Sequence, residues 1–161
     1  MKRTFCLFLT LFASAGSAAA PSSFATIINH YEPVRLALLA DSTDGVAEHG
    51  RALTAELKTL AADFSPDKTG ASHEVADVIQ EKLPEMIAAA AALAEAESIE
   101  AARDAFYELS VPLVRWQEGM PEGSRPVVAY CSMYKRSWLQ PGKEIGNPYG
   151  GMPRCGVVVS K

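Results

Sequence analysis

Apolar residues recur at steps of three and four over residues 24–64, the pattern of helices with one buried face. The first stripe comprises Phe24, Ile27, Ile28, Tyr31, Val34 and Leu38, and the second comprises Val46, Gly50, Leu53, Leu57, Leu60 and Phe64. Pro33 either kinks the first helix or marks its true start, and we expect this helix to end near Asp41. Ser42 or Thr43 is placed to cap the second helix.

Two further stripes of the same period follow a polar loop at residues 66–70. The third comprises Val75, Val78, Ile79, Leu83, Met86, Ile87 and Ala90, and the fourth comprises Ile99, Ala102, Phe106, Leu109, Leu113 and Trp116. Pro84 is expected to bend or split the third helix, Ser98 to cap the fourth and Pro112 to kink it. Because short connections favour antiparallel neighbours, residues 22–118 are predicted to form an up-and-down four-helix bundle.

The composition changes abruptly after Glu118. Residues 119–156 hold seven of the 11 glycines and five of the 10 prolines, which excludes a fifth long helix. Two β-prone runs, residues 126–130 and 156–159, bracket this stretch, and antiparallel pairing between them would bring Cys131 close to Cys155. The predicted fold is therefore mostly α, with a small C-terminal Gly/Pro-rich loop bracketed by a β-hairpin in residues 119–161.

The N-terminus has the layout of a cleaved secretory signal. Lys2 and Arg3 precede an apolar run at residues 5–13 and small residues at 14–20. We expect cleavage after residue 18, 19 or 20, which leaves residues 21–161 as a single periplasmic or secreted domain. No later stretch reaches the roughly 18 uninterrupted apolar residues of a membrane span.

Charge and motif content narrow the function classes. The formal net charge is −4, and loss of the two leader cations makes the exported chain more acidic, which argues against nucleic acid and anionic membrane as partners. The chain contains no hydrolase, metalloprotease or phosphate-loop motif and no Cys-x-x-Cys, so we do not expect an enzyme. His30, His49 and His73 share no i,i+4 spacing and are interpreted as surface or packed residues.

Sulfur-bearing side chains flank the C-terminal loop. Cys131 and Met133 lie at its start, and Met152 and Cys155 at its end. Alternate residues of an extended strand share a face, and Pro153 supplies the turn that a Met-x-x-Cys pair needs. Because Cu(I) selects thiolates and thioethers, these four residues are the candidate ligands. Met120 and Trp138 are possible auxiliaries, although Trp138 is better explained as a core anchor.

A run of short motifs occupies residues 130–156. They read Tyr130-Cys131-Ser132-Met133, Ser137-Trp138-Leu139, Glu144-Ile145, Asn147-Pro148-Tyr149-Gly150 and Met152 through Cys155-Gly156. This order and spacing resembles the signature of a family of exported bacterial domains of unknown function that occur near, or fused to, membrane-fusion proteins of heavy-metal efflux systems. The resemblance implies a copper or related soft-metal role, with a metal efflux or copper-delivery protein as partner. Ser132 stands where the family usually has proline, which would stiffen the ligand loop.

Two interpretations of the cysteines stay open. In the first, the protein binds Cu(I) or Ag(I) for sequestration or hand-over. In the second, it is a non-catalytic exported interaction or structural module whose Cys131–Cys155 disulfide holds no metal and stabilises the fold by about 3 to 4 kcal/mol. The resemblance favours the first interpretation. Because a disulfide excludes Cu(I), such a site would bind metal only when reduced.

Overall fold

The computed structural model of the protein describes residues 21–159, and these are mostly helical. The elements are α1 (Ser23–Leu39), α2 (Val46–Ala62), the short α3 (Pro66–Thr69), α4 (His73–Ala94) and α5 (Ile99–Glu118), followed by a 3₁₀ turn at Glu122–Ser124. Helix α1 packs on α2, α2 on α4 and α4 on α5, while α5 also contacts α1. The predicted signal peptide at residues 1–20 lies outside the described residues.

The four predicted apolar stripes form the core between the long helices. Ile27, Leu53, Ile79 and Phe106, one from each long helix, are all fully buried. None of the prolines ends a helix: α1 begins ten residues before Pro33, and α4 continues through Pro84 without splitting. A proline removes one backbone hydrogen bond from a helix, but burial of a complete apolar face outweighs that loss here.

One of the two predicted helix caps is present and the other is not. Ser98 caps α5 by accepting a hydrogen bond from the amide of Ala101 at 3.1 Å, as predicted. The predicted cap of α2 by Ser42 or Thr43 is wrong, because Gly45 occupies that position with φ 75° and gives no side-chain cap. The tight turn between α1 and α2 requires the left-handed backbone that glycine adopts readily.

The C-terminal region forms a small antiparallel sheet of three strands. They are β1 (Val127–Cys131), β2 (Arg136–Gln140) and β3 (Val157–Val158), in the order β2-β1-β3. The predicted pairing of the two bracketing runs is confirmed, with Tyr130 opposite Val157. Strand β2 was not predicted; it lies inside the expected loop and forms a hairpin with β1 through a four-residue turn. Lys135, with φ 54°, ends that turn.

The outer edge of β2 is covered by two tyrosine side chains. The hydroxyl of Tyr31 on α1 accepts a hydrogen bond from the amide of Leu139 at 3.1 Å, and the hydroxyl of Tyr149 donates to the carbonyl of Ser137 at 2.9 Å. Side chains thus bond backbone groups that an edge strand otherwise exposes. Helix α5 packs against the same strand.

Among residues 21–159, none of the helices combines the length and apolar character needed to cross a membrane.

Candidate functional site

The two cysteines of the described chain are joined in a disulfide at one end of the sheet. Cys131 is the last residue of β1, and Cys155 lies two residues before β3. Since β1 and β3 are antiparallel, the end of one lies beside the start of the other, and the Cα atoms are 5.7 Å apart. The sheet therefore positions the pair, and 24 positions separate the two residues along the chain.

The two halves of the disulfide have different surroundings. Cys131 is fully buried in the core, on the central strand of the sheet. Cys155 is only partly buried and follows an exposed turn, in which its amide donates to the carbonyl of Met152 at 3.0 Å. One sulfur is consequently held by a strand, while the other is carried by a turn at the surface.

Both candidate methionine ligands are at the surface. Met133, in the β1–β2 turn, is 69% exposed, and Met152 is 37% exposed. The segments that carry them meet, because the hydroxyl of Tyr134 occupies the space beside Gly150. Two thioethers and two cysteine sulfurs therefore lie at the same end of the sheet.

Hard or borderline metal ligands do not gather at this end. Within residues 21–159, no three side chains of the His, Cys, Asp or Glu type come close enough to hold a metal ion together. The further protein ligands available to a metal bound by the cysteines at this end are the methionine thioethers. That donor set is the one soft monovalent ions select.

The structure does not bring Met120 to the cysteines. Its methyl group lies against Gly70, and its side chain lines a groove of about 420 Å³ that also includes Phe24 and Gln140. Gln140 pairs with the first residue of β1, whereas Cys131 is the last, so the length of the strand, about 13 Å, separates this groove from the disulfide. Met120 is buried, like the other core methionine, Met86.

Trp138 is a fully buried anchor beneath the segment that carries Cys155. Its ring packs edge-on against Tyr149 with centroids 5.9 Å apart, and a Cβ on Gly156 would stand 2.8 Å from the ring. The indole N–H donates to the side-chain oxygen of Gln140 at 2.8 Å. Trp138 therefore supports the site from the core, in line with the anchor role expected for it.

A buried amide, Gln140, shapes the loop that follows β2. Its oxygen accepts from Trp138 and from the amide of Gly146 at 3.3 Å, and its nitrogen donates to the carbonyls of Gly142 and Glu144. The oxygen and the nitrogen of this side-chain amide thus bond loop backbone groups that have no strand partner. Sequence reasoning missed this residue, because glutamine at the end of a strand carries no positional signal.

A second buried amide, Asn147, connects this loop to the cysteine turn. Its side-chain oxygen accepts from the amide of Tyr149 at 2.9 Å, which is a turn of the kind that asparagine favours, and its backbone amide donates to the carbonyl of Pro153 at 2.8 Å. Its Nδ2 is buried without a hydrogen-bond partner in the described structure. Asn147 therefore fixes the position of the turn that ends at Cys155.

Two arginines from the helices hold the same loop. Arg35 on α1 donates to the carbonyl of Gly146 at 2.8 Å and is paired with Glu32, and Arg103 on α5 donates to the carbonyl of Pro148 at 2.9 Å. Arg35 is itself buried. A signal for it exists in the sequence, because it lies four residues after Tyr31 on the apolar face of the first helix.

Burial also determines the protonation state of the two tyrosine hydroxyls near the site. Desolvation raises the pKa of Tyr31 and of Tyr149 well above the ordinary value of a phenol, and the hydrogen bond to Ser110 offsets only part of that effect. Both phenols are therefore neutral at physiological pH. They act as hydrogen-bonding groups that fix the sheet on the helices, not as acids or bases.

Comparison with known proteins identifies no relative that would suggest a role for this site. The chain matches no known protein family, no curated protein and no solved structure. The resemblance of residues 130–156 to the exported metal-efflux-associated domains therefore stays a prediction. What this end of the molecule does has to be inferred from its sulfur atoms and their surroundings.

Proposed function

We propose that the reduced protein binds one soft monovalent ion, Cu(I) or Ag(I), through the thiolates of Cys131 and Cys155 and the thioethers of Met133 and Met152. The observation that carries the proposal is the placement of two exposed methionines, each within three residues of one of the paired cysteines. Neither methionine contributes to the core, so packing does not account for their position. Thiolate and thioether sulfur is the donor set these ions select.

Metal binding first requires reduction of the disulfide. A dithiol reductant supplies two electrons and two protons, and the two resulting thiols release their protons when they bind the metal. Two sulfurs bound to one ion at about 2.3 Å each stand roughly 3.8 Å or more apart, so they must separate from bonding distance. In this proposal Cys155 is the residue that moves, because it lies outside the strands and beyond the hydrogen bond between Asn147 and Pro153, while β1 holds Cys131 in place.

The difference in exposure favours a role in sequestration or hand-over of the ion. Met133 and Met152 are accessible, whereas Cys131 is fully buried. An incoming ion would meet the weak thioethers first and then pass to the thiolates, and release would follow the reverse order. A metal efflux or copper-delivery protein that docks at this end would exchange ligands with the two methionines. No catalytic step is part of this proposal.

The second candidate is a non-catalytic exported interaction or structural module in which the disulfide is permanent. Complete burial of Cys131 favours it, because a reductant can then attack the bond only at the sulfur of the partly buried Cys155. Closing a loop of this length stabilises a fold by about 3 to 4 kcal/mol on the chain-entropy estimate, which is reason enough for the bond to exist. The two candidates differ in whether the reduced protein binds metal.

For the architecture, the long helices α1, α2, α4 and α5 are best interpreted as an up-and-down four-helix bundle. Each packs on the next long helix in the chain, and the last also contacts the first. Connections between consecutive long helices are short, which favours antiparallel neighbours. In this interpretation the bundle is the rigid support of one exported, periplasmic domain that presents the sulfur site.

Anaerobic titration tests the metal proposal. The full chain is reduced, its two thiols are confirmed by mass spectrometry, and Cu(I) is added against a competing chelator. We expect the unmodified protein to bind one Cu(I) per chain. The Cys155→Ser variant should no longer take Cu(I) from the chelator. Met133→Leu and Met152→Leu should each bind Cu(I) roughly tenfold more weakly, because each removes one ligand.

Met86→Leu is the matched control, because this methionine is buried in the helical core. It is expected to bind Cu(I) as the unmodified protein does. A reduced protein that remains folded by circular dichroism and does not compete for Cu(I) would leave the structural disulfide as the function of the pair.

A further inference from the structure

Two of the three histidines, unremarkable in the sequence, meet in the structure. His30 lies on α1 and His49 on α2, and their Nδ1 atoms are 3.2 Å apart. The rings are tilted by 46° with centroids at 5.5 Å, so they do not stack. Both side chains are partly buried, which leaves one side of the pair open to solvent. In the metal-free protein one Nδ1 donates its proton to the other.

The distance between the two nitrogens is also that between ligands of one metal ion. Imidazole nitrogens bind zinc at about 2.0 to 2.1 Å, so two of them stand roughly 2.9 Å apart at a right angle and about 3.3 to 3.4 Å apart in a tetrahedron. The observed separation of 3.2 Å lies within this range. At this separation an ion that binds both nitrogens lies to one side of the line that joins them, so the two Nδ1 atoms can stay in place while each ring turns toward the ion.

The helices fix the backbone at both histidines. Tyr31, next to His30, is fully buried and hydrogen-bonded through its hydroxyl to Ser110 at 2.7 Å. Gly50, next to His49, lies so close to α4 that a Cβ would stand 2.6 Å from the amide nitrogen of Ala94. Two ligands carried on a fixed backbone lose less conformational entropy on binding than ligands on a mobile segment would.

We propose that His30 and His49 form a binding site for a borderline divalent ion, Zn²⁺ or Cu²⁺, distinct from the sulfur site. Imidazole is the ligand type these ions share, whereas Cu(I) prefers the thiolates. When the ion binds both Nδ1 atoms, the proton between them moves to Nε2 of the ring that carried it, so two neutral imidazoles remain. The site does not depend on the redox state of the disulfide.

The remaining coordination positions are open. Within residues 21–159, no third His, Cys, Asp or Glu side chain joins the two histidines in a ligand cluster. Water or a small exogenous ligand therefore completes the coordination shell. The ion is accordingly expected to be exchangeable and to accept a further ligand from outside the protein, as open metal sites do.

The test uses the full chain with its disulfide intact, so that no thiolate competes for the ion. Zn²⁺ is titrated against a chromophoric chelator, and nitrogen couplings are recorded by electron paramagnetic resonance after addition of Cu²⁺. We expect one Zn²⁺ per chain and two coupled nitrogens from imidazole. Both His30→Ala and His49→Ala should weaken Zn²⁺ binding at least tenfold, with little further loss in the double variant.

His73→Ala is the matched control, because this third histidine is exposed at the start of α4 and lies outside the pair. It should retain the Zn²⁺ affinity of the unmodified protein. The double variant Met133→Leu/Met152→Leu should retain it too, which separates this site from the sulfur site. The proposal is overturned if His49→Ala, shown by circular dichroism to be folded, binds Zn²⁺ as tightly as His73→Ala.

Discussion

The helical region, residues 23–118, and the C-terminal region, residues 119–159, are held together by different kinds of interaction. The helices pack through apolar side chains, whose contacts are non-directional. The C-terminal region also buries apolar side chains, such as Trp138 and Leu139, but its small sheet depends in addition on buried amides, arginine-to-carbonyl hydrogen bonds and one disulfide. Apolar packing tolerates small changes of shape, whereas a directional bond is lost when a single donor or acceptor is removed. The two regions should therefore respond differently to substitution.

We expect the dependence between the regions to run mainly in one direction, although Arg136 also reaches back to Asp104 on α5. Side chains of the helices reach the C-terminal region, namely Tyr31, Arg35 and Arg103. The long helices also contact one another directly and bury their own core. The helices should therefore keep their packing when the C-terminal region loosens, whereas the C-terminal region should not stay ordered without the helices.

Phe106→Ala should lower the stability of the fold the most, because this side chain packs against residues of both regions. It is fully buried on α5. Its ring stacks on that of Tyr31 with centroids 4.5 Å apart and packs at a tilt against that of Tyr149 with centroids 6.0 Å apart. We expect the free energy of unfolding in urea to fall by about 3 to 5 kcal/mol. Val111→Ala on the same helix is 51% exposed and should change it by less than about 0.5 kcal/mol.

The double variant Cys131→Ala/Cys155→Ala should affect mainly the C-terminal region. Loss of the disulfide is expected to lower the free energy of unfolding by about 2 to 4 kcal/mol. Amide hydrogen exchange should accelerate in β3 and the turn before Cys155 and stay slow in α2 and α4. Equal acceleration in all of these elements would contradict the one-way dependence.

Tyr31→Phe removes one hydroxyl that links the regions. The amide of Leu139 loses its acceptor and Ser110 loses a partner, so the free energy of unfolding should fall by about 1 to 3 kcal/mol at pH 7. Exchange of the Leu139 amide, followed by NMR, should accelerate more than exchange in α4. An unchanged rate at Leu139 would show that the hydroxyl does not protect this edge of the sheet.

Tyr31 should also make the stability of the fold depend on pH. Because the pKa of Tyr31 is raised on folding, its contribution to stability is complete below the ordinary phenol pKa of about 10 and is lost as pH rises above that value. Unfolding in urea should therefore become easier above about pH 10. Tyr31→Phe should show a smaller further loss between pH 9 and pH 11, and an identical slope would contradict the assignment.

Ser98→Ala should have the smallest effect and should act only on the helical region. It removes the hydroxyl that accepts a hydrogen bond from the amide of Ala101, so the free energy of unfolding should fall by about 1 kcal/mol. Ser72→Ala is the matched control, because the Ser72 side chain occupies the same position at α4 without making a cap hydrogen bond. If both variants lose the same free energy, the serine at the N-cap of α5 stabilises the fold in some other way.

The physical difference between the regions also explains what the sequence could predict. The positions of the four long helices follow from apolar periodicity, because burial of one face dominates their stability. The pairing of β1 with β3 followed from two β-prone runs. Strand β2 was missed because it begins with Arg136 and Ser137 and is fixed by partners on the helices, including Tyr31, that lie far away in the chain.

The histidine pair could not be predicted for a related reason. The sequence gives the angular position of His30 on one helix and of His49 on another, but it does not give the rotation of one helix against the other. That rotation depends on close packing at positions such as Gly50. Apolar periodicity describes each helix separately, so it does not predict which side chains of two helices meet.

The tyrosine-covered edge of β2 has a consequence for association with other chains. The amide of Leu139 and the carbonyl of Ser137 are already hydrogen-bonded to tyrosine hydroxyls, so a strand from another molecule finds fewer partners on that side. The opposite edge is β3, which spans only Val157–Val158. Sheet-to-sheet polymerisation, to which small exposed sheets are prone, is thereby restricted to one short edge.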